Sequence, residues 1–123
     1  MAQYSRVRTP VRIPVPGGKL IEESVGRVST AHDDVSVAHM VAPSGWTEPA
    51  QTPAFAEITV MVRGRLRVEI GPEGAGETVE LSAGETLRVE PGVRVCYANS
   101  FAEECEYYAI CLPAFTLERA RRE

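Results

Sequence analysis

No stretch of this chain approaches the roughly 20 consecutive apolar residues that a bilayer-spanning helix needs. The opening MAQYSRVRTPVRIP has no apolar segment of the signal-peptide kind. Cysteine is scarce as well. Cys96, Cys105 and Cys111 are odd in number and lack the paired CxxC spacing of a zinc site. Three thiols without a disulfide framework suit a reducing compartment, so a cytoplasmic protein is expected. Nor is there an excess of positive charge: 13 basic residues face 17 acidic ones, for a net charge of −4. That balance gives no electrostatic reason to expect nucleic acid or an anionic membrane as a partner. The basic residues that do cluster, Arg6, Arg8 and Arg12 near one end and Arg119, Arg121 and Arg122 near the other, read as solvated termini. Internal repeats and low-complexity tracts are also missing. A length of 123 residues fits one domain, able to bury roughly two-thirds of the surface its unfolded chain exposes.

What the chain does have is a series of short β-forming runs punctuated by Gly and Pro. Residues 1–18 end in RIPVPGG, and Pro10, Pro14 and Pro16 favour extended backbone while disqualifying a central ladder position. An arm lying along a sheet edge, within the subunit or across a dimer, is expected there. Strand-like segments follow at 19–22 and 26–29, then VSVAHMVAP, with Val35, Val37, His39 and Val41 on one face and Ser36, Ala38 and Met40 on the other. The run 56–62, the turn Arg63-Gly64-Arg65 and the returning LRVEI together predict a β-hairpin. After the glycine-rich loop GPEGAGE (71–77), three short strands are broken at Ala83-Gly84 and Pro91-Gly92, and a last strand, CEYYAICL, ends at Pro113. Residues 116–123 form a short helical tail, with Ala114 and Phe115 docking the chain end. Regular short strands with Gly/Pro turns predict an all-β antiparallel barrel or sandwich, one domain over 19–115, rather than βαβ units.

Glu57 stands at the start of an apolar run, where a charge is paired, protonated or in use. Strand alternation puts Phe55, Thr59 and Met61 on its face and Ala56, Ile58, Val60 and Val62 on the other. In the later strands, Val93, Val95, Tyr97 and Asn99 share a face. Burial would raise the Glu57 pKa and keep the carboxyl neutral. The plainer alternative is that Glu57 accepts a hydrogen bond from Tyr97 or Gln51 and locks the strand. Cys96 and Cys111 sit among apolar neighbours and read as small hydrophobes. Trp46 either shields a pocket mouth or packs a loop, and Glu48 falls in a solvated loop.

Two spacings carry a family resemblance. Gly45, Gln51, Pro53, Glu57 and Gly64 stand at the intervals of G-x5-H-x-H-x3-E-x6-G, the first motif of the cupin family. Gly84, Glu90, Gly92, Val95 and Asn99 match its second motif, G-x5-P-x-G-x2-H-x3-N, with Pro91 shifted by one. The chain therefore resembles a small single-domain cupin, which implies an antiparallel β-barrel of the jelly-roll type. The three histidines that hold a metal in that family are replaced by Gln51, Pro53 and Val95, two of which offer no side-chain donor. No cofactor is expected. If a divalent metal binds, Glu57, Gln51 and His39 are its candidate ligands, with His32 a poorer one. Within the family, the chain looks similar to the ethanolamine-utilisation type, also poor in these histidines, which would imply a role near two-carbon metabolism.

If the cupin register holds, Gln51, Pro53, Glu57, Val95 and Tyr97 line one pocket, and His39 approaches it from the neighbouring strand. The candidate catalytic set is Glu57, Tyr97 and His39; Gln51, Trp46, Met61, Val95 and Tyr108 are candidate substrate contacts. A small polar metabolite is the expected partner. Three functions follow: a metal-independent isomerase, epimerase or lyase with Glu57 as acid/base, a non-catalytic ligand-binding module, or an accessory subunit with a vestigial pocket. A homodimer that covers strand edges is expected as well.

Overall fold

The computed structural model describes residues 3–123. Nine strands and one short helix follow in order: β1 Val11–Arg12, β2 Leu20–Val25, β3 Ser36–Ala42, β4 Ala56–Arg63, β5 Arg65–Ile70, β6 Glu77–Ser82, β7 Thr86–Val89, β8 Val95–Ala98, β9 Cys105–Leu112 and α1 Leu117–Ala120. They form two sheets, β1-β2-β3-β9-β4-β7 and β6-β5-β8, with every pair antiparallel. This is the all-β barrel of jelly-roll type that the strand pattern implied.

The predicted hairpin at Gly64 is corrected. β4 pairs with β7 and β9, whereas β5 pairs with β6 and β8, so the chain leaves one sheet at Gly64 and enters the other. The reason is steric. Gly64 has φ +76°, and a Cβ there would come within 2.8 Å of the Glu104 carbonyl and 3.0 Å of Cys105 Cα. Only a residue without a side chain makes a corner this close to the start of β9. The segment 26–29, expected as strand, is instead a turn, fixed by the Glu23 carboxylate, which accepts from the amides of Val28 (3.0 Å) and Ser29 (2.7 Å).

Register decides what faces inward. Met40 opposes Tyr107, which opposes Met61; Ala38 opposes Ala109, which opposes Thr59; Glu57 opposes Cys111. These side chains share the inner face of the larger sheet. Between the sheets, Met61, Leu66, Val68, Leu81 and Val95 build the main core, and Leu66 and Val68 are fully buried. Burial of such side chains contributes about 1.5–3 kcal/mol each. This core closes one end of the barrel and leaves the other end hollow.

Both chain ends wrap that hollow end. β1 pairs with β2, Ile13 donates to the Ile21 carbonyl, and Gly17 and Gly18 turn the chain into β2 with φ +84° and +76°. At the other end, Thr116 caps α1 by accepting from the Arg119 amide. Beyond it, Glu123 donates to the Ala50 carbonyl, and Ala54 donates to that of Arg119. The expectation of solvated arginines holds for Arg6, Arg8, Arg12 and Arg121, which are exposed. It fails for Arg119, whose Nη2 donates to both carboxylate oxygens of Asp33; Arg122 is exposed as well, but its side chain lines the cavity and donates to Gln51.

Candidate functional site

The hollow end holds a cavity of about 420 Å³. Its apolar wall comes from Ile13 and Val15 of the arm, Ile21, Met40 and Ala109 of the large sheet, and Phe115 before α1. Its polar groups are Glu57, Tyr97, Gln51, Lys19, Glu48 and Arg122, together with Arg27, paired with Asp33, Thr116, which caps α1, and Glu23, committed to backbone amides.

Glu57 projects from β4 into this space. It is half-buried by area and lines the cavity. Burial is the main force on its carboxyl and pushes the pKa from 4.5 up to about 7. Glu48 adds to the rise; the Tyr97 hydrogen bond and the charges of Lys19 and Arg122 oppose it. The Tyr97 hydroxyl donates to Glu57 Oε1 at 3.0 Å. Burial, with Glu57 next to it, pushes the Tyr97 pKa well up, so the phenol stays a donor. The hydroxyl of Thr59, on the same strand face, is buried without a hydrogen-bond partner.

Lys19 enters from the end of the arm and is 8% exposed. Its ammonium lies 3.8 Å above the Trp46 ring centroid and 5.1 Å from that of Tyr107. Burial brings its pKa from 10.5 down to about 8, against the pull of Glu48 and Glu57. A polar edge completes the site. Gln51 pairs through its backbone with Val95 in both directions, and its side-chain oxygen accepts from Arg122 Nε at 3.3 Å. Arg122 also lies 3.7 Å from Glu48, whose side chain is 16% exposed rather than solvated.

The structure brings Glu57, Tyr97 and Gln51 to one cavity and sends the other sequence candidates elsewhere. His39 is corrected: it stands on the outer face of β3, bonded to Glu22 (3.3 Å) and Glu106 (2.7 Å). Tyr108 is corrected with it, being 39% exposed, with its ring tilted against that of His39 at 5.2 Å between centroids. Strand alternation is the cause, since Ala38 and Met40 take the inner positions on β3 and Tyr107 takes the one on β9. Met61 and Val95 lie in the closed core beside the cavity, not on its wall. Trp46 is 6% exposed; it packs its loop and supports Lys19 rather than shielding a mouth. Cys111 does line the cavity, but burial pushes its thiol pKa far up, which leaves it an inert apolar surface.

A metal does not fit this donor set. Among the described residues no group of three His, Cys, Asp or Glu side chains converges. Pro53 and Val95 have no donor atom, the Gln51 oxygen is engaged by Arg122, and His39 cannot join Glu57 from the opposite face. The Lys19 ammonium is one of the positive charges that act on Glu57.

Sequence reasoning missed Lys19, Glu48 and Arg122, and it named Tyr108 where the structure lines the cavity with Tyr107. The signal for Lys19 was in plain view. It is the single lysine among 13 basic residues.

A family model described as a cupin domain matches residues 38–111. The chain is also similar to a curated Myxococcus xanthus protein named endoribonuclease YbeY, with 44% identity over 118 residues, 96% of this chain and 39% of that protein. More than half of that relative therefore lies outside the match. Among solved structures, an oxalate decarboxylase variant of Bacillus subtilis superposes with a TM-score of 0.78 at 14% identity, over 98% of this chain and 33% of that one. An RmlC-like cupin from Shewanella frigidimarina gives 0.73 at 14% identity, over 93% of both chains. At such identities the two structures speak for the fold alone. With the family match covering both motifs and the strands between them, the chain belongs to the cupin domain family.

Proposed function

We propose that this cupin binds a small metabolite in the hollow end of its barrel and catalyses a metal-independent proton transfer on it, of the isomerase, epimerase or lyase class. The observation that carries this reading is one carboxyl, Glu57, with a pKa of about 7, on the wall of a cavity of about 420 Å³. A carboxyl that titrates near neutrality both takes and returns a proton at the working pH. Tyr97 orients it, and Gln51 and Arg122 hold a polar group of the ligand. The apolar wall takes the remainder. A cavity of this size suits a ligand well beyond two carbons, so the ethanolamine-utilisation likeness does not supply the substrate.

The test is a metabolite screen read by thermal shift, followed by solvent deuterium exchange into each hit. Stabilisation of the wild type, with exchange that disappears in Glu57→Gln, supports the reading. Exchange at an unchanged rate in that variant sinks it.

The Myxococcus relative favours a second reading, a ligand-sensing domain that works beside an endoribonuclease. It predicts stabilisation by ligand without turnover. For either reading we infer a homodimer through the outer face of the large sheet, where Val62, Tyr108 and Leu112 are exposed along β4 and β9 and Tyr108 opposes the half-buried Val60. A monomer in light scattering at micromolar concentration would refute it.

A further inference from the structure

We propose that Lys19 is a Schiff-base lysine and that the ligand of this cavity carries an aldehyde or ketone. The inference rests on the acid/base reading of Glu57 and adds to it the group that makes a carbon acid of the ligand.

The argument starts from residue choice. Twelve of 13 cationic side chains are arginines, and none is buried; the one lysine is the one buried cation. If the site needed only a fixed positive charge for a carboxylate or phosphate, arginine would serve better, because it stays charged and binds with two parallel hydrogen bonds. Arg122 already provides such a charge at the cavity edge. What a lysine does and an arginine does not is lose its proton and attack carbon. The surroundings suit that role. Lys19 makes no ion pair among the described residues, so no carboxylate fixes its charge at contact distance; the Trp46 and Tyr107 faces attract the ammonium, and burial acts against it. Its lowered pKa supplies a sizeable neutral fraction near pH 8.

The chemistry closes without an outside reagent. The neutral Nζ attacks the carbonyl carbon, and the oxygen takes up the proton that nitrogen releases, giving a carbinolamine. Glu57, as the acid, protonates that hydroxyl; the C–O bond breaks, water leaves, and a protonated imine remains. Glu57, now a carboxylate, removes a proton from the adjacent carbon, and the electron pair moves into the imine to form an enamine. Return of the proton to the other face or to another carbon gives the epimer or isomer. One water then hydrolyses the imine and restores Lys19. The imine thus supplies the electron sink that a metal supplies in other enzymes.

The experiment reduces the wild-type chain of 123 residues with sodium borohydride in the presence of pyruvate, propanal or benzaldehyde, followed by peptide mapping. With one lysine in the chain, a side-chain amine adduct has one address, and it also blocks tryptic cleavage after Lys19. The expected result is an adduct on Lys19 formed at least about tenfold faster in the folded protein than in guanidinium, since desolvation raises the neutral amine fraction. Folded Glu57→Gln forms it more slowly, and Lys19→Arg forms none. Labelling confined to the N-terminal amine with all three probes, or faster on the unfolded chain, overturns the proposal. If Lys19→Arg, verified as folded by its melting curve, still exchanges ligand protons while Glu57→Gln does not, the lysine role fails and the acid/base reading stands. If both variants exchange like the wild type, both fail.

Discussion

Replacing Glu57 with Gln removes a titrating group without removing its volume, and the structure dictates how stability must respond. The folded carboxyl holds its proton up to about pH 7, whereas the unfolded one releases it near 4.5. Between those values the unfolded chain binds fewer protons than the folded one, so wild-type stability falls as pH rises through this window and levels off above it. Below the unfolded pKa the two states are equally protonated and the effect vanishes. At about 1.4 kcal/mol per pH unit, the full loss is roughly 3 kcal/mol. Glu57→Gln has no such loss. Its stability relative to wild type should therefore improve by roughly 3 kcal/mol between about pH 4.5 and about pH 8. Any fixed difference, such as an altered hydrogen bond to Tyr97, cancels in that comparison. Urea unfolding of both proteins across the range, with slopes checked for equality, measures it. A difference that stays flat within about 0.5 kcal/mol would show that the Glu57 carboxyl is not desolvated, and the proposed chemistry would fall with it.

Lys19→Met should stabilise the protein at neutral pH, with the gain fading as pH rises from about 8 to 10.5, because the folded ammonium is the more easily deprotonated one; denaturant midpoints across that range are the check. Tyr97→Phe removes the hydrogen bond that holds the Glu57 pKa down, so the carboxyl should titrate above about 7 in carbon-detected NMR. Gly64→Ala should cost about 2 kcal/mol or more in unfolding free energy, since both its φ of +76° and the 2.8 Å approach to Glu104 oppose a side chain. His39→Ala should cost about 1 kcal/mol through lost bonds to Glu22 and Glu106, while leaving ligand binding unchanged in calorimetry.

Much of the fold was legible because strand periodicity and turn residues are local. The breaks at Gly84 and Gly92, the span of β9 and the alternation around Glu57 all follow from neighbours in sequence. The corner at Gly64 was not, because two antiparallel strands joined by a glycine turn look alike whether they pair together or part into two sheets. What separates the cases is the approach of residues 104 and 105, forty positions away. The site divides along the same line. Glu57 and Gln51 were found because a family spacing ties them together, Tyr97 because alternation puts it on the face of Val95 and Asn99, and Glu57 also breaks an apolar pattern. His39 was misplaced for want of a register between β3 and β9: alternation says which residues share a face, not which face is inside. Lys19, Glu48 and Arg122 reach the cavity only through the path of the arm, a loop and the tail, segments without periodicity to read.

Glu57 and Lys19 together give the strongest argument against a vestigial pocket. Burial opposes the charged form of each, and the two costs fall on opposite sides of neutrality. The carboxylate weakens the fold as pH climbs toward 7, and the ammonium weakens it until pH passes about 8. Near neutrality both costs are present, and their mutual attraction offsets only part of them, since burial outweighs every charge contribution at both residues. An apolar side chain at either position would leave the barrel more stable. The stability that tolerates them comes from the closed end, where Leu66, Val68, Met61 and Val95 pack without a polar atom to satisfy. A barrel built firm at one end and strained at the other has the form expected of a site in use, because strain without function is what substitution removes most readily.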